Sequence, residues 1–150
     1  MNLVPIGQAP GLIRRLAACL YDCLVLIALL MVAGAAWVGL SRTAVPPGDW
    51  LFRAYLLAVA ALFFAGFWRR GETLGMRAWK LRIVAADGRP PGWGRGLLRF
   101  AMALLSWAVF GLGFWWVLVD LERLAWHDRL SGTRLVLRNP EASAHARHAE

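Results

Sequence analysis

The stretch "LAACLYDCLVLIALLMVAGAAWVGL", residues 16–40, decides the fold of this chain. It is 25 residues long, and its only charged residue is Asp22. About 20 apolar residues in a helix cross a hydrocarbon core of roughly 30 Å. The run is therefore predicted to be a membrane-spanning helix. A cleaved signal peptide is the alternative, because Arg14 and Arg15 precede the run, but the run is longer than such peptides need.

Two further apolar segments follow, at residues 50–68 and 97–119. Arg53 and Arg99 lie near their starts, where a long side chain can reach the membrane surface. Hydrophobic residues make up 59% of the chain, more than a typical soluble domain contains. We therefore expect an all-α membrane protein, a small bundle of three hydrophobic segments whose first partner is the lipid bilayer.

The basic residues predict the orientation of these segments. The connector at 41–49 carries one basic residue, Arg42, whereas residues 69–99 carry eight and residues 120–138 carry four. Basic connectors stay in the cytoplasm. We expect a multi-pass protein integral to the bacterial cytoplasmic (inner) membrane, with its N-terminus in the cytoplasm. Because the basic residues flank apolar runs, we expect no nucleic-acid partner despite the net charge of +8.

Three simple crossings would put the two ends on opposite sides, which contradicts this charge pattern. Gly111 and Gly113 offer one resolution, since they could break the third segment into two re-entrant arms. "KLRIVAADG" (80–88) and "TRLVLR" (133–138) read as short strands, and their pairing would form a cytoplasmic β-hairpin-like element. The alternative is one plain crossing with an external tail. Residues 1–138 are expected to form the membrane domain and 139–150 a disordered tail.

Asp22 is the first candidate for chemistry. A carboxylate at mid-bilayer costs about 2.5–3.5 kcal/mol, so it needs water or a protein partner. Arg15 lies seven residues earlier on the same helix face. Such a carboxyl could exchange protons or cations, and the alternative is a structural ion pair that fixes helix packing.

A second polar cluster lies near the C-terminus. Asp120, Arg123 and His127 would share a helix face, and Asp128 follows directly. His127 is a candidate for titration near neutral pH. The alternative is a charged helix end at the headgroup level. No metal-ligand spacing, cofactor motif or nucleophile–base motif occurs in the sequence, so we expect neither an enzyme nor a cofactor.

Four motifs occur in a fixed order: "RRLAACLYD", "GETLGMRAWKLRIVAADG", "LLRF" and "AWHDRLSGTRLVL". Together they resemble the RDD family of membrane proteins, named for one arginine and two aspartates. The resemblance matches Arg15, Asp22 and Asp128 to these three residues. It also matches Gly71, Thr73 and Gly75 to the family's turn motif, although Glu72, Leu74 and Met76 depart from its usual pattern.

The resemblance implies an integral membrane protein for which a transport role has been suggested. One hypothesis is therefore transport of protons or small cations through Arg15, Asp22 and Asp128, supported by Arg99, Asp120, Arg123 and His127. Three segments are few for a transporter, so this hypothesis requires a homo-oligomer. The other hypothesis is a non-catalytic membrane subunit or assembly factor that works with a membrane-protein partner.

Overall fold

The computed structural model describes residues 9–109, 116 and 124–138 of the chain. The described part is mostly helical, with one small antiparallel sheet. In chain order, the elements are α1 (Leu12–Ser41), α2 (Trp50–Arg69), α3 (Leu74–Ala78), β1 (Leu81–Ala85), α4 (Trp93–Ala108), α5 (Trp126–Leu130) and β2 (Thr133–Leu137).

Helices α1 and α2 are joined by a tight connector. α1 ends at Ser41, and the next residue, Arg42, adopts a left-handed conformation and donates its backbone N–H to the carbonyl of Val38. α2 begins after Asp49, whose carboxylate accepts from the N–H groups of Leu51 and Phe52 at 2.9 and 3.1 Å. This side-chain cap satisfies donors that have no partner inside the helix.

Two segments are long and apolar enough to cross a membrane: α1, and a stretch at Trp50–Ala78 that contains α2 and α3. Their most apolar 18-residue windows have mean hydropathies of 2.6 and 1.8, yet only 6% and 11% of these windows are buried inside the protein. The core helix of a soluble protein would be mostly buried instead. The exposed apolar side chains therefore need another apolar environment.

The third predicted segment, residues 97–119, begins within α4, a helix of 16 residues that starts at Trp93. Gly111 and Gly113, where we predicted a break, lie outside the described residues, as does the predicted tail at 139–150. The structure thus describes the beginning of this segment and the chain that follows it.

The predicted pairing of the two strands is confirmed. β1 and β2 are antiparallel, with Leu81 opposite Leu137 and Ala85 opposite Thr133. α5 packs against both α4 and β2. The chain before the third segment and the chain after it therefore meet in one sheet.

A hydrophobic core lies beneath this sheet. Its buried members come from α1, the end of α2, α3 and both strands: Ala18, Trp68, Met76, Leu81, Ile83 and Leu135. Phe64, Phe100 and Leu137 pack against them. The core thus joins the start of α1, the end of α2 and the two strands at one end of the long helices.

Candidate functional site

Asp22 is buried in α1 and bonded to the segment that follows α2. Its carboxylate accepts a hydrogen bond from the hydroxyl of Thr73 at 2.5 Å and another from the backbone N–H of Gly75 at 2.8 Å. Thr73 is the N-cap of α3, and its Oγ1 also accepts from the N–H of Met76 at 3.1 Å. Asp22 therefore fixes the start of α3 to the side of α1.

Gly75 is required by the close approach of α3 to α1. A Cβ at this position would lie 2.2 Å from the carbonyl oxygen of Ala18 and 2.9 Å from Oδ1 of Asp22. Since backbone atoms cannot give way as a flexible side chain can, no larger residue fits without moving a helix. The space left by glycine also lets its N–H reach Asp22.

Gly71 forms the turn between α2 and α3. Its φ of +87° is in the left-handed region, which glycine adopts without steric cost. Its carbonyl accepts from the N–H of Ile83 at 2.7 Å, which ties the turn to β1. Gly71, Thr73 and Gly75 of the predicted turn motif thus each have an identifiable structural task.

Asp128 is fully buried in α5 and is the centre of a cluster of ionic groups. Arg15 Nη1 lies 3.2 Å from its Oδ2, and Arg99 forms an ion pair with its Oδ1. Oδ2 also accepts from the N–H of Ala125 at 3.1 Å, which caps the start of α5. The carboxylate thereby joins α1, α4 and α5.

Arg99 extends this cluster to the sheet. Its Nη1 donates to the hydroxyl of Thr133 at 2.6 Å, and Thr133 is bonded in turn to Ser131 at 2.7 Å. The Arg99 guanidinium carbon lies 5.2 Å from the ring centre of Trp68, within the range of cation–π attraction. Charge-assisted bonds and aromatic contact together hold this buried guanidinium in place.

Protonation in the cluster follows from burial and from the neighbouring charges. Burial acts to raise the pKa of Asp128, but Arg99 and the other cationic neighbours outweigh it and hold this pKa below its usual value. Burial, followed by repulsion from Arg99, lowers the pKa of His127 to about 4. At neutral pH, Asp128 is therefore a carboxylate and His127 is neutral. The sequence predicted that His127 titrates near neutral pH, whereas in the structure its pKa lies well below 7.

A cavity of about 320 Å³ adjoins both Asp22 and the ionic cluster around Asp128. Its wall is largely apolar, with side chains such as Leu26 and Phe100, and its polar lining includes Arg15, Asp22, Arg99 and His127. Cys19 and Cys23 also line it, and both are free thiols. No group of three or more metal-ligating side chains occurs within the described residues.

The predicted signature residues lie near one another, but their contacts differ from the predicted pairing. Arg15 forms an ion pair with Asp128, while the hydrogen bonds of Asp22 come from Thr73 and Gly75. Asp120 and Arg123, which were predicted to support the site, lie outside the described residues.

The sequence did not single out Trp68, Ser131 or Thr133 as neighbours of this site. Their residue types are common in helix ends and turns, so no spacing rule identifies them. The strand pairing was the available signal, because it brings Thr133 next to Ala85 and so towards the core.

Comparison with curated proteins and with solved structures gives no match. The family model described as "RDD family" matches residues 9–132. This range covers most of the chain and includes Arg15, Asp22, the glycine turn and Asp128. The chain therefore belongs to the RDD family.

Proposed function

We propose that this protein is a non-catalytic, multi-pass subunit or assembly factor of the bacterial cytoplasmic membrane. The observation that carries the proposal is that both signature aspartates are engaged in holding elements together. Asp22 accepts two hydrogen bonds from the start of α3, and Asp128 binds two arginines and a backbone N–H. Removing one partner of a buried ionic group is costly, so contacts of this kind suit a structural role for the two aspartates.

The membrane placement rests on the exposed apolar faces of α1 and α2. The signature residues gather where α1 begins and α2 ends, which is also where the basic connector lies. The opposite end carries the 41–49 connector with its single basic residue. By the positive-inside rule, the clustered end and the N-terminus lie in the cytoplasm.

The re-entrant path of the third segment is part of this proposal. The pairing of β1 with β2 supports it, because strands on opposite sides of a membrane could not share a ladder. A cysteine at Ser143, in a chain whose Cys19 and Cys23 are replaced by serine, tests the path. We expect an impermeant thiol reagent to label this cysteine only after the cells are opened. Labelling from outside in intact cells would exclude the re-entrant path.

Transport of protons or small cations is the second candidate. The cavity beside Asp22 and His127 favours it, since a polar group in a membrane cavity is a common feature of ion pathways. A bundle this small would need a homo-oligomer to form a pathway. Ala35 and Gly39, four residues apart on α1, offer one small-residue face for helix association.

Proton flux in proteoliposomes distinguishes the two candidates. The proteins to compare are the native chain, Asp22→Asn and the control Asp87→Asn, whose site is an exposed turn. We expect no flux from any of them, and a lower yield of folded protein for Asp22→Asn alone. Native flux that is lost in a folded Asp22→Asn protein would refute the subunit proposal in favour of transport.

A partner is tested by cross-linking in native membranes followed by affinity isolation. The subunit proposal predicts a defined membrane protein that is recovered with the native chain and with Asp87→Asn. It predicts reduced recovery with Asp22→Asn in proportion to the folded protein that remains. The proposal would be contradicted if the native chain, present in the membranes at its normal level, were isolated without any cross-linked partner.

A further inference from the structure

The outer face of α2 forms an open groove with the start of α4. The groove has a volume of about 590 Å³ and lies on the side of α2 away from the signature cluster. Phe64 and Trp68 of α2 face the core and Arg99, whereas Leu62, Phe63 and Phe67 face this groove. The groove is therefore separate from the contacts of the signature residues.

Two arginines close the polar end of the groove. Arg69 and Arg70 are exposed at the end of α2, and neither forms an ion pair with any residue that the structure describes. Their contacts are with aromatic rings: Arg69 lies 5.5 Å from the ring centre of Trp93, and Arg70 lies 5.9 Å from that of Phe67. Among the residues that the structure describes, no acidic side chain lines the groove. The site thus presents two positive charges that have no counter-ion within the described part of the chain.

The apolar part of the groove continues the exposed surface of α2. Leu62 is 61% exposed, and Trp93, which covers the groove from α4, is 43% exposed. Gly66 lies under this ring, where a Cβ would be 3.8 Å from Cη2 of Trp93. Because Gly66 has no side chain, the groove stays open from the apolar surface of α2 to the guanidinium groups of Arg69 and Arg70.

We propose that this groove binds one anionic phospholipid of the surrounding bilayer. The headgroup phosphate would contact Arg69 and Arg70, and an acyl chain would lie along Leu62, Phe63 and Phe67. Arginine forms bidentate hydrogen bonds with phosphate, and basic pockets at the cytoplasmic ends of membrane helices suit anionic headgroups. Tryptophan at the side of the groove fits the interfacial depth at which such headgroups lie.

This inference rests on the membrane placement of α2 that we proposed above. It is independent of whether the protein transports ions or serves as a subunit. A carbonate wash of native membranes tests the placement itself, since an integral protein stays in the pellet. Loss of the chain from the pellet would refute the membrane placement. A chain that stays in the pellet but shows no preference for anionic lipid would refute only the proposed lipid site.

Native mass spectrometry measures the preference directly. The purified protein is equilibrated in detergent with equal amounts of dioleoylphosphatidylglycerol and dioleoylphosphatidylcholine, and the lipids that remain bound are counted. We expect the native chain to retain one phosphatidylglycerol. The double variant Arg69→Gln/Arg70→Gln should lower the ratio of bound phosphatidylglycerol to phosphatidylcholine about 25-fold, since each arginine contributes about fivefold. The control Arg42→Gln/Arg53→Gln removes the same charge at the other end of the helices and should keep the native ratio.

A second pair of variants tests the groove by shape rather than charge. Gly66→Leu would fill the groove with all arginines present, and Gly11→Leu adds the same side chain where nothing lies within 4 Å. We expect Gly66→Leu to lose the bound phosphatidylglycerol and Gly11→Leu to retain it. An unchanged ratio in the double-arginine variant, or an equal fall in its control, would overturn the proposal. Retention of the lipid by a folded Gly66→Leu protein would overturn it as well.

Discussion

Arg15 and Asp128 are 113 residues apart in the chain, and their side chains form an ion pair of 3.2 Å. The contact fixes the first turns of α1 to α5, and Arg99 of α4 binds the other carboxylate oxygen. A second fastening, from Asp22 to Thr73 and Gly75, holds α3 on the same helix. Two positions of α1 thus contact later parts of the chain. Arg15 binds α5, and Asp22 binds the start of α3.

Replacement of Asp128 by asparagine should be strongly destabilising. The change keeps the shape of the side chain but leaves the buried guanidinium of Arg99 and the partly buried one of Arg15 facing a neutral amide. We expect the free energy of unfolding to fall by about 3–5 kcal/mol. Thermal unfolding in detergent, followed by tryptophan fluorescence, measures the change. Asp87→Asn is the matched control on an exposed turn, and an equal loss in both variants would show that the cluster contributes little.

Gly75→Ala should disrupt the contact between α3 and α1, because the new Cβ would meet the Ala18 carbonyl oxygen at 2.2 Å. We expect a loss of about 3 kcal/mol in the free energy of unfolding, or failure to recover folded protein. Gly94→Ala is the control, since Gly94 lies in α4 with nothing within 4 Å. Alanine is the better helix former, so the control should be neutral or slightly stabilising. A native-like midpoint for Gly75→Ala would mean that the helices are not packed this closely.

Thr73→Val should loosen the start of α3 while leaving the rest of the fold in place. The hydroxyl both donates to Asp22 and accepts from the N–H of Met76, so its loss removes a cap and leaves a buried carboxylate oxygen unsatisfied. We expect a cost of about 1–2 kcal/mol. Hydrogen exchange measured by mass spectrometry should show faster exchange in residues 74–78. The control Thr43→Val, at an exposed connector position, should leave that exchange unchanged.

Stability should fall between pH 6.5 and about 4 because of His127. Its pKa is about 4 in the folded protein and 6.5 when unperturbed, so the unfolded chain gains the proton first as the pH falls. This difference lowers the free energy of unfolding by up to about 3 kcal/mol across that window. The contribution of Asp128 is retained there, since a lowered pKa keeps it ionised until the pH falls below its ordinary range.

His127→Gln removes the titrating group and should flatten the pH dependence of the unfolding midpoint between pH 6.5 and 4. The control His145→Gln/His148→Gln removes the other two histidines and should keep the native slope. If His127→Gln and the native chain lose stability in parallel, another group is responsible for the acid sensitivity.

Much of the site could be located from the sequence, but its contacts could not. The apolar run around Asp22 identified a buried carboxylate that needs partners, and the motif order identified Asp128 and the glycine turn. Helix spacing then suggested Arg15 as the partner of Asp22, because the two share a face. Spacing along one helix cannot reveal a donor on another element, and the start of α3 brings Thr73 and Gly75 within hydrogen-bonding distance of Asp22.

The sequence by itself determined the long apolar helices, the asymmetric placement of basic residues, the two candidate strands and the family. These features follow from composition, strand alternation and short motifs, which are local properties of the chain. Only the tertiary structure decided which carboxylate meets which guanidinium, and that Gly75 is needed for helix contact rather than for its turn. The physical reason is that ion pairs and close packing depend on distances of a few ångströms between residues far apart in the chain, and these distances exist only once the helices and the sheet have packed together.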